Sequence, residues 1–156
     1  MQLGELKFSV LLFGLLQTLR VMARRHPAYA KRLAERNLTA QIRTADNKVA
    51  RHFTFRDGRV TSGRGIHPSA DITVTVQNAD LGVKLFSLHV DHLERIEAIK
   101  NFQLQAEGPD ELMVWFMQTL GMIFTLGWEY GTDLGDGVKR YVTNTNGGPL
   151  FVHVKD

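Results

Sequence analysis

Ser69-Ala70-Asp71-Ile72-Thr73-Val74-Thr75-Val76 alternates aliphatic and threonine side chains with a period of two. A strand sends successive side chains to opposite faces, so Ile72, Val74 and Val76 face one way and Thr73 and Thr75 the other. One greasy face and one polar face describe a sheet covered on one side only. Asn78 follows as a helix cap, because its side chain can accept from the first free amides. A short apolar helix is predicted over 79–86 and a second over about 90–100. Phe102-Gln103-Leu104-Gln105-Ala106 reads as the last core strand. Glu107-Gly108-Pro109-Asp110 turns the chain into a long helix over about 110–126, with proline and two acids suited to a helix start.

Upstream, apolar residues recur at steps of three and four through Leu3, Leu6, Val10, Phe13, Leu16 and Leu19, which predicts a helix over 3–25. Phe8, Leu11, Leu12 and Leu15 widen its stripe beyond what one sheet surface covers. Pro27 stops or restarts this helix. A short basic helix is expected over 28–36, ending at Asn37. The period then becomes two: Leu38, Ala40 and Ile42 alternate with Thr39, Gln41 and Arg43. Residues 45–48 are turn chemistry, and Val49, Phe53 and Phe55 mark the next strand. Asp57-Gly58 signals a two-residue hairpin. A third strand over 60–66 carries Gly63 and Gly65, which suggest a bend. Strands cluster and helices flank them, so the class is α+β with a mainly antiparallel sheet.

The chain has 156 residues, the size of one ordinary domain, and 44% hydrophobic content is enough for a core. It has no cysteine, which excludes a disulfide scaffold, a thiolate zinc site and a cysteine nucleophile. That fits a reducing compartment, and the expected location is cytoplasmic. A signal peptide is rejected because Arg20, Arg24, Arg25 and His26 follow the apolar run where such a leader is uncharged. No uncharged apolar run approaches the ~20 residues of a membrane-spanning helix. The net charge is only +3, but the first 36 residues hold seven basic residues against two acidic ones. That basic, amphipathic start suits an anionic membrane surface or an acidic partner; a plain solvated helix face has the same composition.

The order of elements resembles the sterol carrier protein type 2 (SCP2) domain. In that family an Ala-Asp-aliphatic-Thr-aliphatic-Thr strand precedes a helix, as Ala70–Thr75 does here. A Leu-Lys-Ile-x-Gly-Asp strand precedes its C-terminal helix, where this chain has the stretched step Glu107-Gly108-Pro109-Asp110. The likeness covers about residues 38–126. It implies about five strands under helices, with the helix over 3–25 as an addition. It also implies a tunnel for sterols, fatty acyl groups or other lipids, or an accessory role beside enzymes. Residues 1–37 are then an N-terminal helical segment, 38–126 the SCP2-like domain and 127–156 a glycine-rich extension. Short strand-like pieces at 138–142 and 150–154 end that extension. Its close, with Val152-His153-Val154-Lys155-Asp156, is similar to the opening of some molybdopterin oxidoreductases.

The last helix is apolar almost all round, so either it is buried on every side or its extra face covers something apolar. The expected ligand site lies between this helix and the sheet. Leu112, Trp115, Phe116, Met117, Leu120 and Phe124 would line it from the helix. Phe53, Phe55, Ile72, Val74, Phe102 and Leu104 would line it from the sheet, with Leu85 from the helix after Asn78. Burying a methylene is worth about 0.8 kcal/mol, so a long chain needs few polar contacts. Arg56, Arg64, His89, His92 and Trp128 are candidates to orient a polar head.

His89 and His92 share one helical spacing, but Glu94 lies off that face and no third ligand is near, so no metal is expected. The glycines lack the Gly-Lys-Ser/Thr ending of a phosphate loop, and no Gly-x-Ser-x-Gly elbow occurs. The expectation is a binding protein rather than an enzyme, with no cofactor and no nucleic-acid partner. The alternative is an assembly module that forms a homodimer or docks on an enzyme.

Overall fold

Thr39 and Asp71 set the central pairing of the sheet. The Thr39 amide donates to Asp71 Oδ2 at 2.8 Å, and the Asp71 amide donates to the Thr39 carbonyl at 2.7 Å. They lay β4 (Ile72–Val76) parallel to β1 (Leu38–Thr44), with Ala40 opposite Ile72 and Ile42 opposite Val74. The computed structural model describes residues 2–86 and 92–129, with the backbone alone at 92, 94, 95 and 124–129. Of the glycine-rich extension over 127–156, residues 127–129 belong to the last helix, and the rest, with its two strand-like pieces and its oxidoreductase-like close, lies outside the described residues, as does His89.

Five strands form one sheet in the order β3-β2-β1-β4-β5, where β2 is Ala50–Arg56, β3 Arg59–Arg64 and β5 Leu104–Glu107. The sheet is mainly antiparallel, as the alternation predicts, but mixed, with one parallel pairing at its centre. β1–β2, β2–β3 and β4–β5 are antiparallel, but β4 joins β1 in parallel. The chain leaves the β3 edge and crosses to the far side of β1, which reverses the sense of the next strand. An alternating pattern is the same in either sense and does not report this. The crossing segment covers Gln41, whose side chain donates to Thr73 Oγ1 and accepts from the His67 amide.

The Asp57-Gly58 hairpin has positive φ at both residues (52° and 80°), as a type I′ turn needs. Asn78 caps α3 (Ala79–Leu85) by accepting from the Leu81 amide at 2.9 Å. α4 is His92–Lys100 and α5 is Asp110–Glu129.

α1 (Leu3–Arg25) and α2 (Pro27–Ala34) meet at His26. α1 supplies Phe8, Leu12, Leu15, Leu19 and Met22 to the same core as the sheet. It packs on α2, α3, α5 and the β2–β3 strands. Gly82 permits its close approach to α3: a Cβ there would stand 2.6 Å from Phe8 Cζ. By length and composition α1 is apolar enough to cross a membrane, and 33% of its most apolar window is buried inside the fold.

Candidate functional site

The inward sheet face is the apolar floor that the alternation predicts. Phe53, Phe55, Ile72, Val74 and Leu104 are all buried, and Leu85 of α3 joins them. Ala40 sits between Phe53 and Ile72 in the register, and its small side chain leaves those larger neighbours to fill the layer. Above this floor α5 buries Trp115, Phe116 and Leu120, while Leu112 and Met117 are half-buried. The Phe55 ring meets Trp115 edge-on at 5.4 Å and Phe116 at 6.0 Å. Such ring contacts are direct, so α5 rests on the sheet at Phe55 without intervening space.

Phe102 does not belong with these residues. It is 77% exposed at φ 57°, in the turn that ends α4. Its amide bonds back to the Ile99 carbonyl, and β5 starts only at Leu104. The alternation of Phe102-Gln103-Leu104 resembles a strand, but closing α4 takes the first two residues. The Phe124 side chain lies outside the described residues, as do those of His92 and Trp128.

α5 is held unevenly. On the side toward α2, the Tyr29 hydroxyl donates to the Thr119 carbonyl at 2.9 Å. Arg32 donates to Thr119 Oγ1, Gln118 Oε1 and the Trp115 carbonyl, and it also lies over the Trp115 ring. Glu35 accepts from both Arg32 and Trp115 Nε1, and Arg36 pairs with Glu111. Elsewhere on α5, Met113 and Met117 are half-buried against the core and Val114 is exposed. The sheet floor also opens at one end. Ala106 on β5 is exposed although its cross-strand partner Val74, on the same face, is fully buried. Reading the sequence alone missed the α2–α5 network. The spacing of three between Tyr29 and Arg32, which puts both on one face of α2, was its available signal.

Of the proposed head-group residues, the two with described side chains, Arg56 and Arg64, fall elsewhere. Arg64 stands opposite Arg51 at the β3 edge, where Arg51 donates to Ser62 Oγ and stacks over Phe13. Burial, with Arg64 as a second cause, lowers the Arg51 pKa from its ordinary value. Arg56 joins Thr54, Asp57, Arg59 and Thr61 around a shallow hollow of about 600 Å³ on the outer side of β2 and β3. A second groove of about 480 Å³ lies between α1, α2 and the β2–β3 turn, lined by Arg20, Ala23, Arg24, Leu33, Gly58, Arg59, Val60 and Thr61.

No family model matches the sequence, and no curated protein is similar to it. Among solved structures, a ubiquinone synthesis protein described as UbiJ-SCP2 superposes with a TM-score of 0.50 and 18% identity, over 70% of this chain and 88% of that one. The stereoselective inverting sec-alkylsulfatase Pisa1 from Pseudomonas sp. gives a TM-score of 0.42 and 23% identity, over 61% of this chain and 13% of the sulfatase. A double mutant of the same sulfatase gives 0.43 over the same shares. A five-stranded mixed sheet under helices, superposing over most of the SCP2 protein's length, gives this chain the fold of an SCP2-like domain.

Proposed function

We propose that this chain binds an apolar, lipid-like ligand without chemistry, admitting it between sheet and α5 from the β5 side. The observation that carries the reading is the uneven hold on α5. Polar bonds to α2 and ring contacts with Phe55 fix part of it. Away from those contacts Met113 and Met117 are only half-buried, and Ala106 at the sheet edge is exposed. Methionine has flexible torsions and adapts to guests of varied outline. Each methylene that leaves water contributes about 0.8 kcal/mol, so an acyl or isoprenoid chain is held mainly by apolar contact and needs few polar groups.

Native mass spectrometry of the purified full-length chain tests this, together with displacement of a fluorescent fatty acid. The expected result is a saturable single site. Replacing Met113 and Met117 together by Gln should weaken it about tenfold, with the far-ultraviolet spectrum retained. A chain that carries no lipid and takes up none sinks the reading.

A second reading, as a docking or accessory module, is favoured by the outward face of α1. Leu3, Leu6, Val10 and Phe13 are exposed in a row, and Arg20 and Arg24 continue that face. Apolar and basic residues together suit an anionic membrane surface. Cosedimentation with vesicles containing phosphatidylserine, abolished in Leu6→Gln/Val10→Gln, is the expected result. Light scattering that instead shows a second copy on this face assigns it to a homodimer.

A further inference from the structure

The groove between α1, α2 and the β2–β3 turn has arginines at its rim and an apolar base. Arg20 and Arg24 are one helical turn apart on α1 and share a face. Arg59 enters from the first position of β3, directly after the type I′ turn. Ala23, Leu33 and Val60 form the base. Arg20 Nε donates to the Val60 carbonyl at 3.2 Å, which anchors that guanidinium to the groove wall. Among the described residues no carboxylate lies within ion-pair distance of Arg20, Arg24 or Arg59. The nearest acid by sequence, Asp57, shares the neighbouring hollow with Arg59 but forms no ion pair with it.

Three cations around one concave surface repel one another and raise the local concentration of anions. A guanidinium presents a planar fork that matches phosphate oxygens two at a time. The apolar base adds a preference for a ligand whose phosphate is joined to carbon. We propose that this groove is a binding site for a phosphate monoester borne on an apolar group. It is separate from the interior between α5 and the sheet. The same chemistry occurs in a soluble organic phosphate and in a phosphatidate headgroup.

Titration of the full-length chain followed by amide chemical shifts tests this with three probes: inorganic phosphate, hexyl phosphate below its micellar concentration, and neutral vesicles with or without phosphatidate. Hexyl phosphate should bind at least tenfold more tightly than inorganic phosphate. Arg24→Gln/Arg59→Gln should weaken it at least tenfold, whereas Lys48→Gln, at the opposite end of β2, should not. Saturable hexyl phosphate binding assigns the site to soluble esters. Binding confined to phosphatidate vesicles and lost in the double variant assigns it to a lipid headgroup, and either bears out the site. Equal binding by parent and double variant, equal loss in Lys48→Gln, or no binding to any probe overturns it. Fatty acid uptake by the double variant stays at the parent level, which keeps this result distinct from the fate of the interior site.

Discussion

The Tyr29 hydroxyl and the Thr119 carbonyl are joined by a 2.9 Å hydrogen bond between two fully buried residues, one on α2 and one in the middle of α5. Thr119 spends its own hydroxyl on the Trp115 carbonyl at 2.6 Å and on Arg32 Nε. α2 is only eight residues long, too short to hold as an isolated helix, and this seam against α5 is what gives it tertiary support.

Tyr29→Phe therefore measures the seam. The Thr119 carbonyl keeps its place within α5, so the loss is that of a net hydrogen bond, about 0.5–1.5 kcal/mol. Urea denaturation should show a lower midpoint with an unchanged slope. Arg32→Met should cost more, because it removes the cation paired with Glu35 and the donor to Thr119 Oγ1, Gln118 Oε1 and the Trp115 carbonyl. A Tyr29→Phe variant as stable as the parent would show that the bond adds nothing to the ring's packing.

Gly82 sets how closely α1 approaches α3. Alanine is the better helix former by about 1 kcal/mol. Its Cβ, however, would stand 2.6–2.7 Å from three atoms of the Phe8 ring, and Phe8 is fully buried. Overpacking of this kind costs about 1–3 kcal/mol, so Gly82→Ala is expected to be net destabilising. The double variant Phe8→Leu/Gly82→Ala should be less unstable than the sum of the single changes, since leucine removes the atoms that clash. Thermal unfolding of the four proteins in that cycle checks this.

Much of the fold is written in local pattern. Ile72, Val74 and Val76 announce a strand, and Asn78 and Asp57-Gly58 announce a cap and a turn, because each rests on neighbours within four residues. The sense of β4 is not local. It depends on where the 65–71 connection crosses, and both senses share one alternation. The candidate site divides the same way. Burial of Phe53, Phe55, Ile72, Val74 and Trp115 follows from pattern. The polar hold on α5 comes from Tyr29, Arg32 and Glu35, about 80–90 positions earlier in the chain, where the spacing marks a shared face but not the element it meets.

Phe102 is the residue most misread by pattern, and it yields its own test. An L-residue other than glycine in the left-handed region costs on the order of 1–2 kcal/mol, while asparagine tolerates that region better. The phenyl ring is mostly in water, so little burial is lost. Phe102→Asn should leave stability unchanged or raise it by up to about 1 kcal/mol, and should leave fatty acid uptake at the parent level. Loss of uptake would return this position to the ligand site.

His26 gives the fold a pH dependence. It ends α1 and begins α2, and its imidazole pKa is lowered, first by burial and then by the positive charge of Arg25. The unfolded chain takes up this proton near the ordinary value of about 6.5, the folded chain only at lower pH. Its contribution to stability is thus complete above about pH 6.5 and is lost as pH falls through the folded value. The group is only partly buried, so the expected fall in Tm between pH 7.5 and 5 is small. His26→Gln should remove that increment. Asp46, whose pKa is lowered by the Thr44 hydroxyl and then by the Lys48 amide, should contribute a separate loss only in the carboxylate range near pH 4 and below. Melting curves at half-unit pH steps resolve the two windows. A His26→Gln profile parallel to the parent between pH 7.5 and 5 would show that this histidine is not the source.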